Sequence, residues 1–172
     1  MSNPTLAIKT QAIQPLATTG DLSGLATNAL VVGTNAGASG VFSNLSANIG
    51  STGAAEFGGY PFAYLEFDSG STVWGSAPTA NTSVDGWFLT ADDGTNYEIG
   101  GASVTPGRAP DFSFAIIAQT ARQIVKANGG KLVEIPAVGK FKALIRNNGT
   151  GQSLPATSVI NIIPATEIYP SV

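Results

Sequence analysis

Between Lys140 and Arg146 apolar and charged side chains alternate: Phe141, Ala143 and Ile145 fall on one face, Lys140, Lys142 and Arg146 on the other. That period of two predicts an antiparallel strand with one face on a core and the other in water. A second alternation runs from Tyr60 to Asp68, where Phe62, Tyr64 and Glu66 interleave with Ala63, Leu65 and Phe67, and its aromatic content also favours a strand. Val84 to Ala91 predicts a third, with Trp87 and Leu89 on one face and Phe88 on the other, and Asp111 to Ala118 a fourth, strongly apolar one. Phe62, Phe88 and Phe141 are expected in the core. Ser158 to Ile163 returns the chain after the turn at Asn147 to Gly151, while Leu6 and Ile8, Ala29 to Val32, and Phe42 to Leu45 carry weaker strand signals. From Thr120 to Lys126 a helical turn competes with a strand.

The punctuation between these runs is turn chemistry. Asp92-Asp93-Gly94-Thr95 tolerates the positive φ of tight turns, and Asn128-Gly129-Gly130, flanked by Ile124-Val125 and Leu132-Val133, predicts a hairpin whose second run ends at Pro136. Ser69 to Ser83 reads as a polar loop carrying Trp74 among small residues, and Gly100 to Pro110 as a further loop. With 21 glycines and 10 prolines in 172 residues, few windows are long enough for a helix. Two amphipathic sheets must each bury a face, so these strands, about eight or nine, predict an all-β fold: an antiparallel β-sandwich, jelly-roll-like or Ig-like. Residues 1–27, interrupted by Pro4 and Pro15, read as an extended N-terminal arm ordered by neighbours. Residues 28–172 read as a single β-sandwich domain, with a glycine-rich segment at 33–59.

Only 11% of the residues are charged, against roughly 25% in typical soluble proteins. Ser, Thr, Asn and Gly must therefore keep the surface wet, and a neutral polar surface suits a protein that sits against neighbours. The formal net charge of −3 gives no broad positive field, so nucleic acid is not an expected partner. Lys126, Lys131, Lys140, Lys142 and Arg146 are read as the solvated face of two strands. No apolar run approaches the roughly 20 residues that span a bilayer, and Met1-Ser2-Asn3-Pro4 lacks the basic start of an export signal. No membrane partner is expected.

Cysteine and histidine are both absent. Their absence removes disulfide staples, Cys- and His-based nucleophilic catalysis, the usual zinc sites and the commonest general base near neutral pH. The run Asp92 to Glu98 lacks the spacing of an EF-hand and reads as an acidic turn. Asp85, Asp92, Asp93, Glu98 and Asp111 offer carboxylates for glycosidase-type chemistry, but nothing in the sequence brings a pair together. Gly129-Gly130-Lys131 lacks the remainder of a phosphate loop, and no Gly-x-Ser-x-Gly elbow occurs. The chain is therefore expected to be non-enzymatic, with no catalytic residue, cofactor or metal. Leu6, Ile8, Phe57, Tyr60 and Trp74 are the candidate partner-interface residues, because apolar side chains in an arm or among glycines are either folded onto the core or offered to a partner. For Trp74 both readings stay open.

Several segments carry a resemblance. Pro78-Thr79-Ala80-Asn81 running into Val84 to Leu89, then Asp93-Gly94-Thr95-Asn96-Tyr97-Glu98, Arg108-Ala109-Pro110-Asp111, Gly139 to Asn148, and Gly151-Gln152-Ser153-Leu154-Pro155-Ala156 together resemble a family of small tailed-phage virion-associated structural proteins. The likeness spans residues 60 to 165 and rests on turns and strand edges. It implies a β-sandwich subunit present in many copies on a phage particle, and it carries no catalytic residues across. The resulting expectation is a capsid decoration or cement protein of the virion, made in the host cytoplasm, bound to the major capsid protein or other virion subunits and itself a homo-oligomer, with a trimer as the expected form. Two alternatives accompany it: a tail, neck or fibre-base protein, and a carbohydrate-binding host-attachment module using Trp74 as its platform.

Overall fold

The computed structural model describes residues 7–10, 13–34, 62–91, 96–98, 104–136 and 140–168. The weak strand expected at Phe42 to Leu45, most of the glycine-rich segment, and the acidic turn Asp92 to Thr95 lie outside them. In chain order the elements are β1 (Ala7–Thr10), β2 (Gln14–Ala17), α1 (Thr19–Leu22), β3 (Leu30–Val32), β4 (Phe62–Asp68), β5 (Thr82–Ala91), β6 (Phe112–Ile116), β7 (Ile124–Lys126), a 3-10 turn (Ala127–Gly129), β8 (Val133–Glu134), β9 (Lys140–Asn148) and β10 (Val159–Ile168).

All pairings between these strands are antiparallel, and they form two sheets. In one, β10 and β4 are central, with β1 and β2 sharing the outer edge of β10 and β7 and β8 sharing the outer edge of β4. The other runs β3-β9-β5-β6. If each broken edge strand is taken as one, the chain pairs β5 with β6, then β4 with β7 and β8, then β3 with β9, then β1 and β2 with β10. That is one long hairpin, wound so that β10 also meets β4 and β9 also meets β5. The result is a jelly roll, the wrap in which successive strands keep crossing between two facing sheets. The expected all-β sandwich is therefore present, in its jelly-roll form.

The alternation rule explains which side chains meet inside. On β4, Ala63, Leu65 and Phe67 are buried while Phe62, Tyr64, Glu66 and Asp68 are only partly covered. Phe62 thus faces outward, contrary to expectation; the period fixes which residues share a face, and the carboxylates of Glu66 and Asp68 mark the outer one. Phe88 and Phe141 do lie in the core. Phe88 packs at 5.2 Å from Phe112 and at 5.2 Å from Phe141, and Phe67 of the opposite sheet reaches Phe114 at 6.1 Å, so tilted rings join the layers. Opposite Phe112 on β5 sits Gly86. A Cβ there would lie 2.1 Å from the Phe112 ring, so only glycine lets this phenyl group lie across the strand.

β9 presents Phe141, Ala143 and Ile145 inward as its alternation requires, yet its outer face is not simply solvated. Leu144 is fully buried there with Trp87 and Leu89 in a second apolar cluster that includes Tyr97. Lys142 lies over the Tyr97 ring with its Nζ 4.3 Å from the centroid.

Two sequence expectations change at the sheet edges. Ile124-Val125 and Leu132-Val133 do not form a hairpin with one another: β7 pairs with Glu66 to Asp68 and β8 with Phe62 and Ala63, both along β4. Positive φ at Asn128, Gly129 and Gly130 makes a local kink rather than a reversal, because Val125 and Val133 both need the β4 edge to cover the core. The N-terminal arm is extended in β1 and β2 as expected, but its inner part is not left to neighbours. Leu16, Ala17 and Leu22 have no exposed surface. The single helical turn α1 is nucleated by a capping box: Thr18 caps it, and the Asp21 carboxylate accepts from the Thr18 backbone N–H at 2.8 Å.

Candidate functional site

Jelly-roll winding gathers the β2–β3, β4–β5, β6–β7 and β9–β10 loops at one end of the sandwich. Backbone bonds tie them together: Thr79 N–H donates to the Thr150 carbonyl at 2.8 Å, Trp74 N–H to Thr120 at 3.1 Å, Ser69 N–H to Gln123 at 3.0 Å and Gly24 N–H to Leu154 at 3.1 Å. At the centre is Asn147, with no exposed surface. Its Nδ2 donates to the carbonyls of Leu25 at 2.9 Å and Gln152 at 2.8 Å, and its Oδ1 accepts from the Thr150 hydroxyl at 2.6 Å. Buried loop carbonyls have no water to bond, so one amide supplies what a ladder would otherwise provide.

Trp74 plugs the core beneath this end. At 1% exposure it belongs to the main cluster, so the partner-interface reading is corrected and the core reading holds. Its indole Nε1 has no hydrogen-bond partner, nor does Ser158 Oγ. Next to it in sequence, Val73 is 60% exposed. Ile117 (58%) and Ile124 (55%) flank the same junction. The connection is direct: the Gln123 side chain bonds the Ile117 backbone through both its oxygen and its nitrogen, and Thr120 holds Trp74. The only ion pair at this end among the described residues is Arg122 with Asp68, where the guanidinium and the Gly70 N–H hold the Asp68 carboxyl below its usual range despite partial burial.

The opposite end of β5 meets the shortage of ladder partners with charge. β6 leaves β5 after the Gly86–Phe112 pair, so the outer backbone groups of Phe88 and Thr90 lose their ladder partners. Charged side chains replace them. Asp111 Oδ2 accepts from Phe88 N–H at 2.7 Å, Arg108 Nη2 donates to the Phe88 carbonyl at 2.7 Å, and Glu98 Oε1 accepts from Thr90 N–H at 3.2 Å. Arg108 and Asp111 are also bonded to each other, which raises the guanidinium pKa, with Glu98 contributing through charge. A cavity of about 290 Å³ opens here, with Ile135 and Pro136 on its apolar side and Glu134 at its rim. Of its charged lining, Asp111, Glu98 and Arg108 serve as backbone caps, an arrangement that holds the strand.

Glu98 and Asp111 are thus brought together, around Arg108, whereas Asp85 lies apart, accepting from Ser113 Oγ at 2.7 Å and Asn148 Nδ2 at 2.9 Å. Among the described residues no three acids converge as a metal site, and no helix is long and apolar enough to cross a membrane. Of the candidate interface residues, Ile8 is placed in β1 opposite Glu167; Leu6, Phe57 and Tyr60 lie outside the described residues. Sequence reasoning missed Asn147 and Arg108, both read as turn or loop residues; the Asn-Asn-Gly and Gly-Arg context signalled a turn and nothing about burial. No protein-family model matches the chain, and no curated protein matches it.

Proposed function

We propose that the chain is a non-enzymatic structural subunit of a tailed-phage virion, a capsid decoration or cement protein that docks on the major capsid protein through the loop end of its jelly roll. One observation carries this reading: Val73 and Ile117, on loops locked to one another, and Ile124 at the start of β7 are each more than half exposed, in surroundings of hydroxyl, amide and small side chains with a single ion pair among the described residues. Ordered apolar side chains in a charge-poor frame lose little entropy and little desolvation energy on docking. Many weak copies of such a contact on a capsid lattice hold firmly through effective concentration. The carbohydrate-binding alternative relied on Trp74 as an exposed platform, and a buried indole gives it no support.

The test uses purified protein and emptied heads of the phage that encodes it. Saturation at a fixed ratio to the capsid protein is expected, with Val73→Asp and Ile117→Asp weakening binding by about tenfold or more while leaving thermal unfolding nearly unchanged. Absence of binding to heads, with binding to tails instead, moves the protein to the tail or neck; absence from both overturns the virion reading.

A further inference from the structure

β6 is an edge strand, with β5 on one side and, among the described residues, no strand on the other. Alternation divides its backbone groups between the two sides. Ser113 N–H turns away from β5 and is accepted by Asn128 Oδ1 at 3.0 Å. Ile117 turns the same way: its N–H donates to Gln123 Oε1 at 2.9 Å and its carbonyl accepts from Gln123 Nε2 at 2.8 Å. Ala115, midway between them, points outward in step, yet its N–H and carbonyl take no hydrogen bond on that side. The residue is exposed, which leaves both groups to water.

Natural sheets guard such edges with charge, proline or a bulge. Where β5 runs on past β6, Asp111, Arg108 and Glu98 do so. β6 instead shows Ser113, Ala115 and Ile117, with neither charge nor proline. These three side chains share one face of the strand at intervals of about 7 Å, so Ile117, 58% exposed, is the neighbour of Ala115 on that face. A partner that covers Ile117 also takes water from the Ala115 backbone. An N–H and a carbonyl stripped of water oppose docking unless the partner supplies their bonds.

We propose that the capsid partner meets β6 by strand addition: an extended segment lies antiparallel along the open edge, and one of its residues gives Ala115 both a carbonyl and an N–H. A single residue of an extended chain carries the two groups at the required spacing, as in any hydrogen-bonded antiparallel pair. The side-chain caps on Ser113 and Ile117 confine the contact to a short stretch centred on Ala115. Main-chain bonds then fix the position of the segment, and Ile117 beside them supplies apolar contact. The inference rests on the reading of the loop end as a capsid-docking surface and says how that surface is engaged.

Ala115→Pro deletes the N–H that the fold leaves unused, at an edge position where proline is tolerated, whereas Ala115→Ser keeps both groups. Each full-length variant is titrated onto emptied heads beside the unmodified chain. Ala115→Ser is expected to bind as the unmodified chain does, and Ala115→Pro about tenfold or more weakly, with thermal unfolding nearly unchanged. If Ala115→Pro also unfolds earlier, amide exchange on the unmodified chain, free and head-bound, decides the matter: mass spectrometry of the peptide spanning residues 113–117 should show exchange at Ala115 slowed about tenfold on binding. Full-strength binding by Ala115→Pro, or binding of the unmodified chain with no slowing at Ala115, overturns strand addition and leaves the capsid proposal standing. Failure of the unmodified chain to bind heads overturns both.

Discussion

The two ends of β5 face the same difficulty, backbone groups that have run out of ladder, and meet it with opposite chemistry. Where β5 begins, the most deeply buried side-chain bonds between the loops come from a neutral amide: Asn147 is inaccessible and bonds two carbonyls and a hydroxyl, while the charged Asp21, Asp68 and Arg122 of this end stay partly exposed. Toward the far end of β5, Asp111, Arg108 and Glu98 cap Phe88 and Thr90 from half-exposed positions. A charge cannot be buried cheaply, so charged caps stay near water, whereas amides can be sealed inside if every bond is made. The amide-sealed end displays Val73 and Ile117 on loops bonded to one another; the charged end is a trimmed strand edge.

That contrast can be broken at its foundations first. Trp74→Ala removes the plug beneath the amide-sealed end and is expected to cost about 3–5 kcal/mol in urea unfolding, whereas Val73→Ala next to it stays within about 0.5 kcal/mol. Asn147→Ala removes three bonds at a buried site, although Leu154 N–H still reaches the Leu25 carbonyl and the Thr150 hydroxyl still reaches that of Gln152, and is expected to cost about 1–3 kcal/mol, again read as a shift of the denaturation midpoint. At the charged end, Arg108→Ala costs only about 1 kcal/mol because water replaces the lost bonds. It also bares the Phe88 carbonyl on an open strand edge, so light scattering on warming should rise earlier than for Asn147 variants of equal stability. Equal costs for Asn147→Ala and Arg108→Ala would remove the distinction.

The smallest effect is a pH dependence. Arg122 holds the Asp68 carboxyl below its ordinary range, so in the folded protein this acid binds its proton less readily than in the unfolded chain. Its contribution to stability is therefore complete above the unfolded value of about 3.9 and is lost as the pH falls through the lowered folded value. Asp68→Asn should flatten that part of the acid-unfolding curve and leave the neutral region little changed. A steeper acid limb in the variant would contradict the ion-pair assignment.

Local alternation made the strands readable in advance, because a period of two needs only neighbouring residues. It put Trp87 and Leu89 opposite Phe88, and grouped Phe141, Ala143 and Ile145, as the structure does. On β4, Phe62 was expected inside although Glu66 and Asp68 share its face; the carboxylates, and not the aromatic ring, mark the outer side. A local reading also hid the fate of Asn128-Gly129-Gly130. Turn residues announce a change of direction, but Asn128 Oδ1 accepting from Ser113 N–H at 3.0 Å is what ties this kink to the edge of β6. Trp74 and Asn147 were legible only as loop residues, for burial inside a cluster of loops is a property of the wrap and not of any window along the chain.

The proposal that the chain decorates a capsid is tested most directly by counting it in purified particles, using quantitative mass spectrometry with the major capsid protein as the internal standard. A fixed, high copy number matching a repeated position on the head lattice is the expected result. Particles that lack the chain, or that carry only the few copies a tail or neck accommodates, would contradict it.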